Sequence, residues 1–306
     1  MIRSGTSDSV VVLNPESGTS DHVSAVRSQA AAQGYLVRES TWEGHAIDLA
    51  SNAAEAGATV VAAAGGDGTL NEVVRGIEAV GALDSVTVGA IPCGTGNNFA
   101  RNIGITGIKQ AFEVLGDGER RQVDLAFANG RPFINSCVGG LTAEASAATS
   151  PALKRRFGST GYLISTLQTV RSFDSIRVTV VMYDDPDSAP VWSGDAVGVL
   201  IGNGRRFPPG GSEQANMEDG KFDVTLVRAT GSVGLLRTAA VERLFKQETP
   251  WTARYTVSSV DISVDDDDPV AFSLDGEIVR HRQLSLRIRP KRLRIAVGDR
   301  YDPAPE

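Results

Sequence analysis

Residues 62–74, AAAGGDGTLNEVV, set three glycines, Gly65, Gly66 and Gly68, around one acid, Asp67, where an apolar run meets a run with helical spacing. Two other junctions share this composition: NPESG at 14–18 and PCGTGNNF at 92–99. Glycine lets the main chain approach a ligand with no Cβ in the way and tolerates positive φ, so several amides can converge on one anion. The anion implied is a phosphate chain. Neither GxxxxGK[ST] nor GxGxxG occurs, so amides rather than a lysine must hold the phosphates. A carboxylate beside phosphate oxygens repels them unless a cation intervenes, and Asp67 therefore implies Mg²⁺, directly or through water. The structural alternative is a turn aspartate capping its own backbone. Thr69 and Glu72 have capping-box spacing, and capping stands as a complete alternative role for Glu72. Three glycines around an acid exceed what a turn requires.

Two further acidic turns carry less information by themselves. Asp275-Gly276-Glu277 lies inside a strand pattern and reads alone as a hairpin turn, and Asp219-Gly220 reads as a turn of the same kind. The aspartate run at 265–268 reads as a solvated loop between strands. Cys93 and Cys137, the only cysteines, have no Cys or His at metal spacing and read as small, reduced filler residues.

The elements that must position these groups change character part-way along the chain. VVVLN, residues 21–33, YLVRES, residues 45–56, ATVVAAA, a helix from Thr69, and VTVGAIP alternate strand and helix, which predicts parallel strands with crossover helices, a Rossmann-like half. After Asp124 the period becomes two. Asn129-Gly130 between apolar runs predicts a hairpin, and SIRVTVVMY, DAVGVLIGNG, KFDVTLVRA, YTVSSVDISV, VAFSLDGEIV and QLSLRIRP predict strands, with helices expected at 152–170 and 232–244.

The chain has 306 residues, enough for two domains. Its net charge of -7 argues against a nucleic-acid partner, which needs a positive surface. No apolar run has bilayer-spanning length, and the first fifteen residues lack the pattern of a signal peptide, so a cytoplasmic location is expected.

GGDGTLNE, with NPESG before it and PCGTGNNFAR after it, resembles the diacylglycerol kinase catalytic-domain family of soluble lipid kinases, which includes sphingosine and ceramide kinases. The resemblance continues through VDLAFANGRPFINSCVGG, LKRRFGSTGYL, GNGRRFPPGGSEQANMEDGKFDV and FSLDGE, so it covers nearly the whole chain. It implies an α/β nucleotide-binding domain of NAD kinase/diacylglycerol kinase type at 1–128, a C-terminal β-sandwich at 129–297 that meets the lipid, and a last segment, 298–306, returning to the first domain. ATP would lie in the cleft between the domains. By position, Asn14, Ser17, Gly18, Gly65, Gly66, Asp67, Gly68, Thr69, Leu70, Asn71, Gly94, Thr95 and Asn97 would contact the nucleotide, and Thr41 matches a further nucleotide-contacting threonine.

The same resemblance makes Asp275 or Glu277 the base that accepts the lipid hydroxyl proton, without deciding between them. It implies a structural Mg²⁺ held by the Asp219 side chain and the carbonyls of Asn216 and Lys221. Asp67 and Asp124 would join a water-linked catalytic Mg²⁺ network whose third member is usually an aspartate and is here Asn98. That exchange keeps an oxygen acceptor and loses a negative charge. A homodimer is common in the family. Lys154, Arg155 and Arg156 beside Phe157 and Tyr162 offer a contact for anionic lipid, with a basic helix end on the sandwich as the alternative. The leading expectation is thus an ATP- and Mg²⁺-dependent lipid kinase, peripheral to the membrane in catalysis. The alternatives are an NAD kinase-like phosphotransferase and a nucleotide-binding regulator without catalysis.

Overall fold

The computed structural model describes residues 8–19, 21–140, 175–184, 191–207, 214–229 and 252–305. The helices expected at 152–170 and 232–244, and the basic cluster at 154–156 with Phe157 and Tyr162, lie outside these residues. The chain divides into two compact units, Met1–Val123 with Lys291–Asp302 and Asp124–Pro290 with Pro303–Glu306.

In the first unit, β1 (Ser9–Leu13), β2 (Leu36–Glu39), β3 (Val60–Gly65) and β4 (Thr87–Pro92) are parallel, in the order β2-β1-β3-β4. The near-continuous apolar sequences of β1, β3 and β4 are those of strands covered on both faces, whereas β2 is the partly exposed edge strand. The helices are α1 (His22–Gln33), α2 (His45–Glu55), α3 (Asp67–Ala79), α4 (Asn98–Asn102) and α5 (Ile108–Asp117). Glycine sets how closely they approach: a Cβ at Gly76 of α3 would run into the Ile47 carbonyl of α2, and one at Gly89 of β4 into Leu115 of α5. α4 and α5 were not among the expected elements. α5 nevertheless carries the helical pattern, with Ala111, Phe112, Val114 and Leu115 buried.

The second unit is antiparallel. β6 (Arg131–Phe133) pairs with β5 (Glu119–Ala128) through Asn129 and Gly130, both at positive φ, which is the primed hairpin the Asn-Gly pair predicts. β7 (Ser136–Gly140), β8 (Ile176–Tyr183), β9 (Val191–Gly202) and β10 (Phe222–Arg228) follow. β9 pairs with β8 along its first half and with β7 and β10 along its second, the behaviour of a strand that passes between the layers of a sandwich. The run YTVSSVDISV is two strands, β11 (Thr252–Val257) and β12 (Ser259–Val264). Ser258 separates them by donating both its N–H and its hydroxyl to the Tyr183 carbonyl, at 3.0 and 2.8 Å, and the chain changes partner from β10 to β8. β13 (Val270–Leu274), β14 (Glu277–His281) and β15 (Gln283–Val297) complete the unit around a core that includes Phe133, Phe222 and Phe272.

The architecture is an N-terminal α/β domain with a C-terminal β-sandwich domain. The first unit ends at Val123 and includes Lys291–Asp302, while Pro303–Glu306 group with the second unit. Both boundaries fall inside strands, because β5 and β15 are continuous and contribute residues to both units. A period-two pattern reports the strand and not the change of partner. In β15 the change coincides with Pro290 and with Lys291 at φ 52.

Candidate functional site

Because β1 to β4 are parallel, their carboxyl ends share one edge, and this is where an open α/β sheet binds its ligands. Three glycine-bearing loops, 14–18, 65–69 and 92–99, meet there. Asn14 ties the first to the second: its Nδ2 donates to Thr69 Oγ1 (3.2 Å) and its N–H to the Ala64 carbonyl (2.9 Å). The second and third touch at their backbones. A Cβ on Gly94 would lie 2.5 Å from Gly66 Cα, and one on Gly18, which has φ 57, would collide with the Cys93 carbonyl. Only glycine permits these contacts.

Gly68 differs from its neighbours. It has no positive φ, and a Cβ there would meet nothing within 4 Å. The fold therefore leaves open space beside the first turn of α3. No side chain caps that helix, and its first internal bond runs from Leu70 N–H to the Gly66 carbonyl, so the amides of residues 67–69 precede the helical ladder. Thr69 thus sits inside the first turn and is not the N-cap, which is Gly66. The capping box offered as the structural alternative is not formed because the N-cap lies three residues earlier, at an extended Gly66.

Asp67 does cap, but not its own helix. Its Oδ2 accepts from Asn98 N–H (3.0 Å) and its Oδ1 from Phe99 N–H (2.9 Å), which fixes the start of α4. A carboxylate offers about four acceptor positions, so about two remain for a hydrated cation. Asn98 is buried, and its Oδ1 accepts from Arg101 Nη2 at 2.5 Å. Arg101 also donates to the Gly96 carbonyl. This arginine brings positive charge to the third loop and was not singled out from the sequence, where it stands three places beyond Asn98. Asn97, at φ 47, folds its own loop by exchanging hydrogen bonds with Gly94, at 2.9 and 2.6 Å. Thr95 and Thr41 are exposed at loop tips, whereas the Leu70 and Asn71 side chains are buried.

The second unit gathers the remaining candidates around buried amides. Asp124, almost wholly buried, accepts the Gly220 N–H at 2.6 Å, and its own N–H meets the Met217 carbonyl at 2.7 Å. It is thereby fastened to the 216–222 turn. In that turn Asn216 Oδ1 accepts from Glu218 N–H and Asp219 Oδ1 from Lys221 N–H, both at 2.9 Å, with Gly220 at φ 72. Desolvation raises the Asp219 pKa, while the Lys221 N–H lowers it. The Asp219 carboxylate and the neighbouring carbonyls are the oxygen donors a hard cation takes, and such a cation would offset that desolvation. Among the described residues no three His, Cys, Asp or Glu side chains cluster as a metal site, so carbonyls and water would have to complete either coordination shell.

Asp275 and Gly276, at φ 50 and 97, form the two-residue turn between β13 and β14, as the hairpin reading predicts. The turn also has a second task. Asp275 accepts three backbone N–H bonds, from Ile134 (2.7 Å, Oδ2) and from Asn135 and Ser136 (2.8 Å each, Oδ1), and its own N–H donates to the Ser136 carbonyl. Its orientation is fixed. Glu277, with a side chain 53% exposed, pairs with Arg131. Asn203 joins this group to Asp124: its Nδ2 donates to the carbonyls of Ile134 (2.9 Å) and Asp124 (3.3 Å), and its N–H to that of Asn135 (2.8 Å). Asn203 is fully buried and went unremarked in the sequence, where only its place in GNGRRF could have marked it.

Comparison with known proteins also finds two successive parts in the chain. Residues 8–128 match the family described as diacylglycerol kinase catalytic domain, and residues 135–297 match the YegS C-terminal NAD kinase beta sandwich-like domain. A protein of Pseudomonas aeruginosa (strain UCBPP-PA14) named "Probable lipid kinase YegS-like" is 31% identical over 296 residues, covering 94% of this chain and 92% of its own. The chain belongs to the diacylglycerol kinase catalytic-domain family. A protein of the same name from Stenotrophomonas maltophilia (strain K279a) is 31% identical over 310 residues, covering 93% of this chain and 94% of its own. Among solved structures, a diacylglycerol kinase of Bacillus anthracis strain Sterne superposes with TM-score 0.71 at 18% identity, over 95% of this chain and 97% of that one. A further structure from that organism gives 0.76 at 20% identity, over 95% and 98%. At such identities the superpositions speak for the fold. Family membership places this lipid-kinase relative among the phosphotransferases.

Proposed function

We propose that the chain transfers the γ-phosphoryl group of ATP to the hydroxyl of a membrane lipid such as diacylglycerol. The observation that carries this reading is Gly68, a glycine that the fold does not require, beside uncapped amides and two backbone-to-backbone glycine contacts. That is a cradle shaped for a phosphate chain. Mg²⁺, held through water by Asp67, would neutralise the charge of the transferring phosphoryl group.

Phosphoryl transfer asks little base strength of its proton acceptor and much of its positioning. Asp275 is suited to that task because three amides hold its carboxylate in one orientation. The lipid oxygen forms its bond to the γ-phosphorus, the bond to the β–γ bridging oxygen breaks, ADP leaves, and the hydroxyl proton passes to Asp275. Glu277, drawn to Arg131, helps set the turn. The 216–222 turn would take the structural Mg²⁺ at Asp219 with the carbonyls of Asn216 and Lys221.

No described helix is long and apolar enough to cross a bilayer, and the acceptor is proposed to be met by a peripheral protein. The test is transfer from γ-labelled ATP to a panel of lipid alcohols in mixed micelles with Mg²⁺, beside NAD and an Asp275→Ala, Glu277→Ala control. Transfer to one lipid, lost in the control, is the expected result. Transfer to NAD alone would overturn the lipid acceptor, and no transfer despite ATP binding would favour a regulator.

A further inference from the structure

We infer that Trp42 and His45 form the nucleobase platform of the nucleotide site, with a base stacking on the free face of the Trp42 indole. The inference rests on the nucleotide reading above and adds where the base lies and what holds it. Trp42 is 62% exposed, and of the large apolar side chains exposed among the described residues it alone belongs to the first unit.

Its geometry is that of a prepared surface. The indole lies parallel to the His45 imidazole, with ring centroids 3.6 Å apart and planes at 8°. His45 is itself held: its Nδ1 lies 3.2 Å from both the N and the Oγ1 of Thr41, and its N–H donates to the Trp42 carbonyl at 3.2 Å. Gly44, at φ 84, turns the chain sharply enough for residue 45 to return beneath residue 42. A ring fixed in this way loses little freedom on binding, which is what favours a preorganised aromatic contact. One face of the indole is covered by the imidazole. The opposite face is the one open to a second flat ring, and every nucleobase presents a π-face of that kind.

The loop also lies in the right place. β2 is parallel to β1, and Ser40 N–H donates to the Leu13 carbonyl at 2.9 Å, so the loop leaves the same sheet edge as the phosphate cradle, immediately beside residues 14–18. With strands about 4.8 Å apart, it is about 10 Å from the end of β3, where the α3 amides begin. The order along the edge is then base at β2, sugar at β1 and phosphates at β3 and β4. Stacking reads the face of a base and not its edge, so this platform would accept adenine and guanine alike.

The experiment is calorimetric titration of the full chain with the Mg²⁺ complexes of ATP, GTP and tripolyphosphate, for the native protein, Trp42→Ala and Trp42→Phe. Loss of a base–aromatic stack is expected to weaken ATP and GTP about tenfold in Trp42→Ala, to leave tripolyphosphate unchanged, and to be largely repaired in Trp42→Phe. Unchanged ATP affinity in Trp42→Ala would overturn the platform. So would equal weakening of tripolyphosphate, which would make Trp42 a support for the loop. Reduced co-sedimentation with anionic vesicles at unchanged ATP affinity would make it a membrane anchor instead. Native protein that binds tripolyphosphate and gains nothing from a base would refute the platform and spare the cradle, whereas binding of none of the three would remove the nucleotide reading as well.

Discussion

The two units place polar groups by opposite means. The first exposes main-chain donors by removing side chains: Gly66 and Gly94 touch backbone to backbone, Gly18 lies against the Cys93 carbonyl, and Gly68 leaves open space before uncapped amides. The second buries main-chain donors in carboxylates, with three amides on Asp275 and one on Asp124. The first arrangement leaves donors for an incoming anion. The second consumes its donors to fix the direction of an acid. Substrate binding and acid placement are therefore separable, and substitutions in the two units should fail differently.

The largest effect is expected at Asp275. In Asp275→Asn one amide oxygen can still serve Asn135 and Ser136, but the new NH₂ then faces the Ile134 N–H, and an unsatisfied buried donor costs about 1–3 kcal/mol. Phosphoryl transfer should fall about 10²–10⁴-fold, the usual contribution of a positioned proton acceptor. Glu277→Gln, which breaks one exposed ion pair, should change stability by less than about 1 kcal/mol and activity by less than Asp275→Asn does. Urea midpoints and kcat for both variants check this. A greater loss of kcat in Glu277→Gln would transfer the proton-accepting role to Glu277.

The next effect sharpens the contrast inside the first unit. Gly94→Ala places a Cβ 2.5 Å from Gly66 Cα, and overpacking of this kind costs about 1–3 kcal/mol. Gly68→Ala meets nothing and should stabilise α3 by up to about 1 kcal/mol, because alanine loses less backbone entropy in a helix. Both should bind ATP more weakly. Melting curves and nucleotide titrations should thus show one variant losing stability and affinity together, and the other losing affinity alone. A Gly68→Ala protein with native ATP affinity would remove the cradle.

How much of this could be read from the chain follows the same contrast. A glycine required by its own φ or by a close approach leaves a local mark, which is why the loops at 14–18, 65–69 and 92–99 stood out and why Asn129-Gly130 gave a hairpin. The alternation of strand and helix, and then of period two, gave the α/β and β-rich halves. Partners distant in sequence leave no such mark. Asp275 reads as a turn residue until the amides of 134–136, some 140 positions earlier, are seen to close on it. Asn203 is one more asparagine until its amide reaches Ile134 and Asp124. Ser258 divides a continuous period-two run because of a carbonyl on β8, and the unit boundaries lie inside strands.

A smaller effect tests the 216–222 turn. Desolvation sets the folded-state pKa of Asp219 above its unfolded value, so without a cation the folded chain holds that proton more tightly. The stability so contributed is full below the unfolded pKa, about 3.9, and is lost as pH rises through the folded value. At neutral pH the ionised group weighs against the fold, and a bound divalent cation reverses the balance. In EDTA at pH 7, Asp219→Asn should melt no lower than the native chain and decline less as pH rises out of the acid range. It should also lose the rise in Tm that Mg²⁺ gives the native protein. Equal stabilisation of both chains by Mg²⁺ would place the cation elsewhere.

The smallest effect concerns Asn98, where sequence and structure lead to different expectations for one substitution. From the sequence, Asn98→Asp restores a negative charge to the Mg²⁺ network and should strengthen activation by the metal. In the fold, the oxygen that would carry that charge already accepts from Arg101 Nη2 at 2.5 Å, and the neighbouring Asp67 carboxylate is occupied by the amides of Asn98 and Phe99. A new carboxylate would pair with the guanidinium before it met a hydrated cation, and an exposed arginine returns at most about 1 kcal/mol from such a pair. The single variant should therefore lower the Mg²⁺ concentration for half-activation by no more than about threefold, a free energy within that same limit. With Arg101→Ala added, the charge is released to the metal and the Mg²⁺ requirement should fall further. The Mg²⁺ dependence of phosphoryl transfer in the single and double variants separates the cases: a full gain in Asn98→Asp alone means that Arg101 does not compete, and no gain in the double variant means that residue 98 stands outside the metal network.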